Sequence, residues 1–212
     1  MRLGHAAELR PHVPNLYPVP MREPDDKTID VGRFLEGMRQ VPSVVTVVTT
    51  GNANGIWGIT IGSFVSLSID PPLVCFNVQH KAEIHDHIVT AEDYVVHVLR
   101  ENQTELSDLF ARSALTEAEY FGRLDFELTD RGTPVLRDCL VTFFCRPFNA
   151  LSGGDHTILI GRVTDIRHGA PGKPVVYHQR AYYGVGAYVS DHDPGGAESV
   201  SPASPVPKNA KS

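Results

Sequence analysis

Positive charge is in short supply in this chain. Its 19 Lys and Arg against 25 Asp and Glu leave a net charge of -6 over 212 residues, which argues against a general nucleic-acid surface while leaving room for a local anion site. Cysteine is scarce as well. Cys75, Cys139 and Cys145 form no C-x-x-C pair, and two of them lie in apolar strand-like runs where a free thiol packs as a small hydrophobe, so the expected compartment is the cytosol. No apolar run is long enough to cross a bilayer, and the N-terminus lacks the apolar core of a signal peptide, so no membrane partner is expected. No G-x-G-x-x-G follows a strand, which argues against a Rossmann nicotinamide domain. Ser63 and Ser66 stand outside any G-x-S-x-G elbow, and the βα alternation such an elbow needs is missing.

What is present is organised around the stretch from Gly55 to Val74. It leaves a Gly/Asn turn, passes through small residues and hydroxyls, then alternates Phe64, Ser66 and Ser68 against Val65, Leu67 and Ile69. That pattern predicts a strand with one apolar face and one face offering oxygens. Asp70-Pro71-Pro72 ends it, and the apolar run Leu73 to Val78 follows. Gly58 and Gly62 would let a flat polar ligand approach backbone amides closely.

Five prolines between Pro11 and Pro24 mark residues 1–27 as an extended arm. Asp30 is placed to cap a helix carrying Val31, Phe34, Leu35 and Met38 on one face, stopped by Pro42. Ser43 to Thr50 has the β-branched density of a strand. A short helix is expected over 79–88, a strand over 94–99, a helix over 104–112, and a helix start with a capping box at Thr116 and Glu119. Strands follow over 140–145, 156–163 and 175–177, with Leu151 to Asp155 as a loop. About seven strands with short helices between them predict a closed or partly closed antiparallel barrel over residues 28–189. From Ser190 the chain is too poor in large apolar residues to offset its ordering cost and is expected to be a disordered tail.

The candidate site has two parts. One is the run from Gly58 to Ser68, extended by Asn77, Gln79 and Lys81. The other is Gly153-Gly154-Asp155-His156, which delivers an acid and an imidazole. Hydroxyls, close backbone amides and Lys81 suit a phosphorylated planar cofactor better than a hydrolytic centre. Blander readings stand beside these: a solvated strand face for the serines, a surface charge for Lys81, a turn closure for Asp155 and His156. Trp57 fits either the core or the cover of a flat ligand. His80, His85 and His87 with Glu83 and Asp86 lack a second ligand pair at a spacing that would fix a metal.

Several segments, taken in order, resemble the flavin reductase family with an FMN-binding split barrel, which includes the small reductase components of two-component flavin monooxygenases. They are Pro42 to Thr50, Gly58 to Ser68 with Asp70-Pro71-Pro72-Leu73-Val74, Tyr94 to Gln103, Gly154-Asp155-His156, and Tyr177 to Tyr183, within a match from about Phe34 to Tyr188. The resemblance implies a mainly β, Greek-key antiparallel split barrel with short flanking helices. It also implies that Thr60, Ile61, Gly62, Ser63, Phe64 and Ser66 line the flavin, and that Asn77, Gln79 and Lys81 hold the ribityl phosphate. By the same resemblance Asp155 and His156 border the nicotinamide, with His156 orienting it, and Arg180 and Tyr183 close the pocket near a homodimer interface. Ile59, Gly62 and the His80-Lys81 pair depart from the family's usual methionine, serine or alanine, and hydroxyl-rich loop.

The activity so implied is hydride transfer from NADH or NADPH to FMN or FAD, supplying reduced flavin to a partner monooxygenase. Two alternatives remain open on sequence: a flavoprotein that keeps FMN tightly bound and passes electrons to another acceptor, and a non-enzymatic flavin-binding protein.

Overall fold

The β-branched run after Pro42 forms strand, but splits between two sheets. A computed structural model of the chain describes residues 29–186; the proline-rich arm and the polar tail lie outside the described residues. In chain order the elements are α1 (Val31–Arg39), β1 (Ser43–Val44), β2 (Thr46–Asn52), β3 (Gly55–Ile61), β4 (Val65–Ser68), β5 (Leu73–Gln79), α2 (His85–Val89) and β6 (Tyr94–Val98). Then come α3 (Thr104–Phe110), α4 (Glu117–Phe121), β7 (Phe126–Leu128), β8 (Pro134–Leu136), β9 (Val141–Gly153), β10 (His156–His168), β11 (Val175–His178) and β12 (Ala181–Gly184). Seven strands make one antiparallel sheet in the order β3-β2-β6-β9-β10-β5-β4, and β1-β11-β12 make a second. The large sheet curls until β3 approaches β5. The result is a mainly β, split antiparallel barrel with short helices around it.

β2 is buried on both faces, which is why its sequence is a nearly unbroken β-branched run rather than an alternation. Val48 packs with Phe76, Val78 and Tyr94 inside the barrel, whereas Val45 and Val47 pack with Phe110, Phe121 and Leu136 under the helices. Its buried threonines are satisfied: Thr46 Oγ1 donates to the Ile61 carbonyl (2.9 Å) and Thr49 Oγ1 to that of Pro134 (2.5 Å). The caps form as the sequence predicts, with Asp30 accepting from the Arg33 N–H and a full capping box at Thr116 and Glu119.

Four expectations need correction. Val65, Leu67 and Ile69 do not face the core; β4 is the sheet's terminal strand with only β5 beside it, and Ile69 is 92% exposed. Leu151 to Gly153 are strand rather than loop, because β9 and β10 run on to a two-residue turn at Gly154 and Asp155, where Gly154 takes φ +63°. The helix over 79–88 contracts to His85–Val89. Finally, β12 and the β7–β8 hairpin add strands that the sequence reading omits.

Candidate functional site

β3 ends the large sheet, so one side of its backbone has no strand partner. The Ile61 carbonyl is engaged on the β2 side by Thr46, whereas the Ile56 N–H donates to Glu117 Oε2 (3.1 Å) on the open side. Antiparallel alternation therefore directs the backbone groups of Gly58 and Thr60 to the open edge as well. Helix α3 lies close along β3 because residue 58 is glycine; a Cβ there would run into the Phe110 ring. The approach lets Thr60 Oγ1 donate to the Ser107 carbonyl at 2.6 Å.

A groove of about 620 Å³ follows this edge, with Ile59 to Gly62 on one side, Ser107, Asp108 and Ala111 on another, and Arg180 with Tyr182 across from them. Tyr182 donates to Asp108 Oδ1 (2.7 Å) and shares a hydrogen bond with Ser107 Oγ (2.9 Å); burial pushes its phenol up. Arg180 is presented by a β-hairpin turn in which Gln179 and Arg180 both adopt left-handed backbone, φ 48° and 65°. The turn is tied to the end of α1: the Gln179 N–H donates to the Arg39 carbonyl (3.2 Å) and its side-chain amide to Gln40 Oε1 (2.9 Å).

Beside the groove, sharing Ile59 and Ala111 with it, lies a recess of about 340 Å³ lined by Trp57, Gln79, Lys81, Glu83 and Arg112 among others. Trp57 is stacked on His87, ring centroids 3.7 Å apart and planes 12° from parallel. Gln79 also reaches the β9–β10 turn, donating to Asp155 Oδ2 at 3.2 Å. On the same turn His156 Nδ1 lies 2.7 Å from Asp155 Oδ1, and since a carboxylate only accepts, Nδ1 carries the proton. These donors, His156 first, hold the Asp155 carboxyl below its usual range.

The structure thus gathers Thr60, Ile61, Gly62 and Arg180 in the groove, Trp57, Gln79 and Lys81 in the recess, and Asp155 and His156 at the adjoining turn. Ser63 follows β3, where its Oγ accepts from the Asn77 N–H (2.9 Å) and its hydroxyl proton has no acceptor among the described residues. Ser66 is exposed on β4, and Phe64 packs on Phe143 at 5.4 Å against the barrel core. Tyr183 is half-exposed near His178, while its neighbour Tyr182 lines the groove; successive residues of a strand face opposite ways. Among the described residues no group of three His, Cys, Asp or Glu side chains is placed to hold a metal. The sequence reading missed Ser107, Asp108, Arg112 and Tyr182. The alternation from Arg180 offers a signal for Tyr182, but the other three reach the site only through the docking of α3.

The family model for the flavin reductase like domain matches residues 38–186. The FMN reductase (NADH) SmoA of Agrobacterium fabrum is 37% identical over 138 residues, covering 65% of this chain and 76% of that protein. A solved structure described as a putative flavin reductase from Haemophilus somnus superposes with a TM-score of 0.71 at 30% identity, covering 74% of this chain and all of the other. BorF, the flavin reductase component of a bacterial two-component tryptophan halogenase, superposes with a TM-score of 0.67 at 29% identity, covering 74% of this chain and 99% of its own.

Proposed function

The chain belongs to the flavin reductase-like family, and we propose that the groove along the open edge of β3 holds the flavin, with its ring beside Thr60, Ile61 and Gly62 and its phosphate toward Gln79 and Lys81. The observation that carries this reading is a groove along the open edge of β3, with Arg180 in its lining, and a second recess beside it, sharing Ile59 and Ala111, that Lys81 lines. Edge amides and carbonyls suit the polar rim of a flat heterocycle, the half-buried Ile59 suits its face, and Lys81 suits a phosphate. The protein is an NAD(P)H-dependent flavin oxidoreductase. Flavin and nicotinamide supply the redox chemistry between them, a hydride passing from the second to the first.

The chain's own residues bind and orient. Ser63, whose hydroxyl proton is free, donates to the bound cofactor; Arg180 offsets negative charge near the ring; His156, fixed by Asp155, presents Nε2 to the nicotinamide partner. No protein nucleophile is needed, so the rate comes from alignment and electrostatics.

The reduced flavin goes to a separate partner, of the monooxygenase kind; delivery to a separate component is supported by the likeness to BorF, itself the reductase component of a two-component tryptophan halogenase. The working unit is a homodimer. The exposed apolar side chains of β4 (Val65, Leu67) and α1 (Phe34, Leu35, Met38) support that state, since grouped apolar side chains at a surface suit a protein–protein interface. The test is anaerobic addition of NADH or NADPH to the purified protein with FMN or FAD, after gel filtration. Bleaching of the added flavin is the expected result; absence of nicotinamide oxidation with either flavin overturns the proposal.

A further inference from the structure

We propose that Asp108 discriminates between the two oxidation states of the bound flavin: its carboxylate, held at the groove by Tyr182, disfavours the reduced cofactor and so promotes its departure. The inference deepens the flavin-reductase reading and rests on it for the position of the ring.

Three elements converge on Ser107, itself buried at the start of α3. Thr60 of β3 donates to its carbonyl at 2.6 Å, and the Tyr182 hydroxyl of β12 lies 2.9 Å from its Oγ. Chemistry fixes the direction of these bonds. An ionised carboxylate only accepts, so Tyr182 gives its single proton to Asp108 Oδ1 at 2.7 Å, and the Ser107 hydroxyl therefore donates to Tyr182. The phenol is thus held from one side by Ser107 and holds Asp108 on the other. Tyr182 is a positioning residue.

Asp108 is exposed to the groove, and its Oδ2 has no protein donor among the described residues. Arg180 lines the same groove, yet neither it nor Asp108 is in a salt bridge among the described residues. The groove therefore carries two opposite charges that do not neutralise each other by contact, and each acts on whatever lies beside β3. A hydride brings two electrons and one proton, so a neutral acceptor becomes an anion until it takes a second proton from water. Arg180 favours that anion and Asp108 opposes it, whereas the neutral oxidised ring meets no such repulsion.

Asp108→Asn removes the charge and keeps an acceptor for the Tyr182 hydroxyl, so its thermal midpoint should match that of the native chain. The full chain is loaded with FMN without oxygen, and the midpoint potential of the bound FMN is measured by spectroelectrochemistry. Asp108→Asn is expected to tighten reduced FMN about tenfold relative to oxidised FMN, a rise of about 30 mV for a two-electron couple. Arg180→Gln is expected to shift the potential the other way. Tyr182→Phe is expected to give a smaller rise alone and none in the Asp108→Asn background, as befits a residue that acts through another. A potential that stays put or falls in Asp108→Asn overturns the proposal, including the case where both affinities change equally and Asp108 is an ordinary contact to the ring. If nicotinamide reduces FMN while Asp108→Asn leaves the potential unmoved, this inference falls and the reductase reading stands. If the native chain binds FMN in neither oxidation state, both fall.

Discussion

The imidazole of His97 accepts the backbone N–H of Leu136 at Nε2 (3.0 Å) and donates from Nδ1 to the Val47 carbonyl (3.0 Å), fully buried between β2, β6 and β8. One neutral ring thus satisfies two backbone groups from strands far apart in sequence. Burial pushes its pKa down to about 4, outweighing the Val47 carbonyl, which favours the charged form.

The consequence is a pH-dependent stability. The unfolded chain binds a proton at this histidine near its ordinary value of 6.5, whereas the folded chain resists until about 4. The stabilisation is therefore complete above pH 6.5 and is lost as pH falls toward 4, by about 3 kcal/mol in total. Thermal midpoints measured across this window should fall steadily for the native chain. His97→Gln should start lower and show a flatter profile; an unchanged slope in that variant would assign the acid sensitivity elsewhere.

Gly58 decides how closely α3 approaches β3. Gly58→Ala drives a methyl into the Phe110 ring, and an overpacked core of this kind costs about 1–3 kcal/mol. The displacement should also part Ser107 from Thr60 and weaken FMN binding. Chemical denaturation and FMN titration check both effects, and Phe110→Leu in the same chain should recover part of the loss. Additive losses in the double variant would mean that the two residues do not interact.

Much of this arrangement was legible in the residues. The run around β2, the caps at Asp30 and Thr116, and the glycine-hydroxyl stretch carry local signals that tertiary structure preserves. The far half of the β9–β10 hairpin is not legible, because β9 is exposed on both faces from Arg146 to Gly153 and has no alternation to display. Likewise Val65, Leu67 and Ile69 alternate as a buried face would, yet β4 is an edge strand and nothing among the described residues covers them. Arg112 and Ser107 join the cleft through helix packing, which no spacing within their own segment reveals.

At the β9–β10 turn, His156→Ala should raise the apparent KM for the nicotinamide donor or lower turnover by about tenfold, the equivalent of one charge-assisted hydrogen bond. Flavin should still bind, since His156 does not line the groove proposed to hold the ring. Asp155→Asn should produce a smaller effect of the same kind, because it loosens the imidazole without removing it. Flavin affinity lost from His156→Ala with an unchanged unfolding midpoint would refute the orienting role.

With the flavin oriented as proposed, Lys81→Ala should separate recognition of the phosphate from recognition of the ring. The residue is exposed, so its replacement should alter stability by no more than about 0.5 kcal/mol. A charge-assisted contact to phosphate contributes about 1.5–3 kcal/mol, so Lys81→Ala should weaken FMN by about tenfold or more. Riboflavin has the same ring and no phosphate, and its affinity should hardly move. Arginine at this position keeps the charge but changes its shape, so Lys81→Arg should recover part of the FMN affinity. The salt dependence of FMN binding should shrink in the alanine variant, since the lost interaction is the one that salt screens. Equal losses for riboflavin and FMN would instead put Lys81 beside the ring, and would reverse the orientation of the flavin along β3.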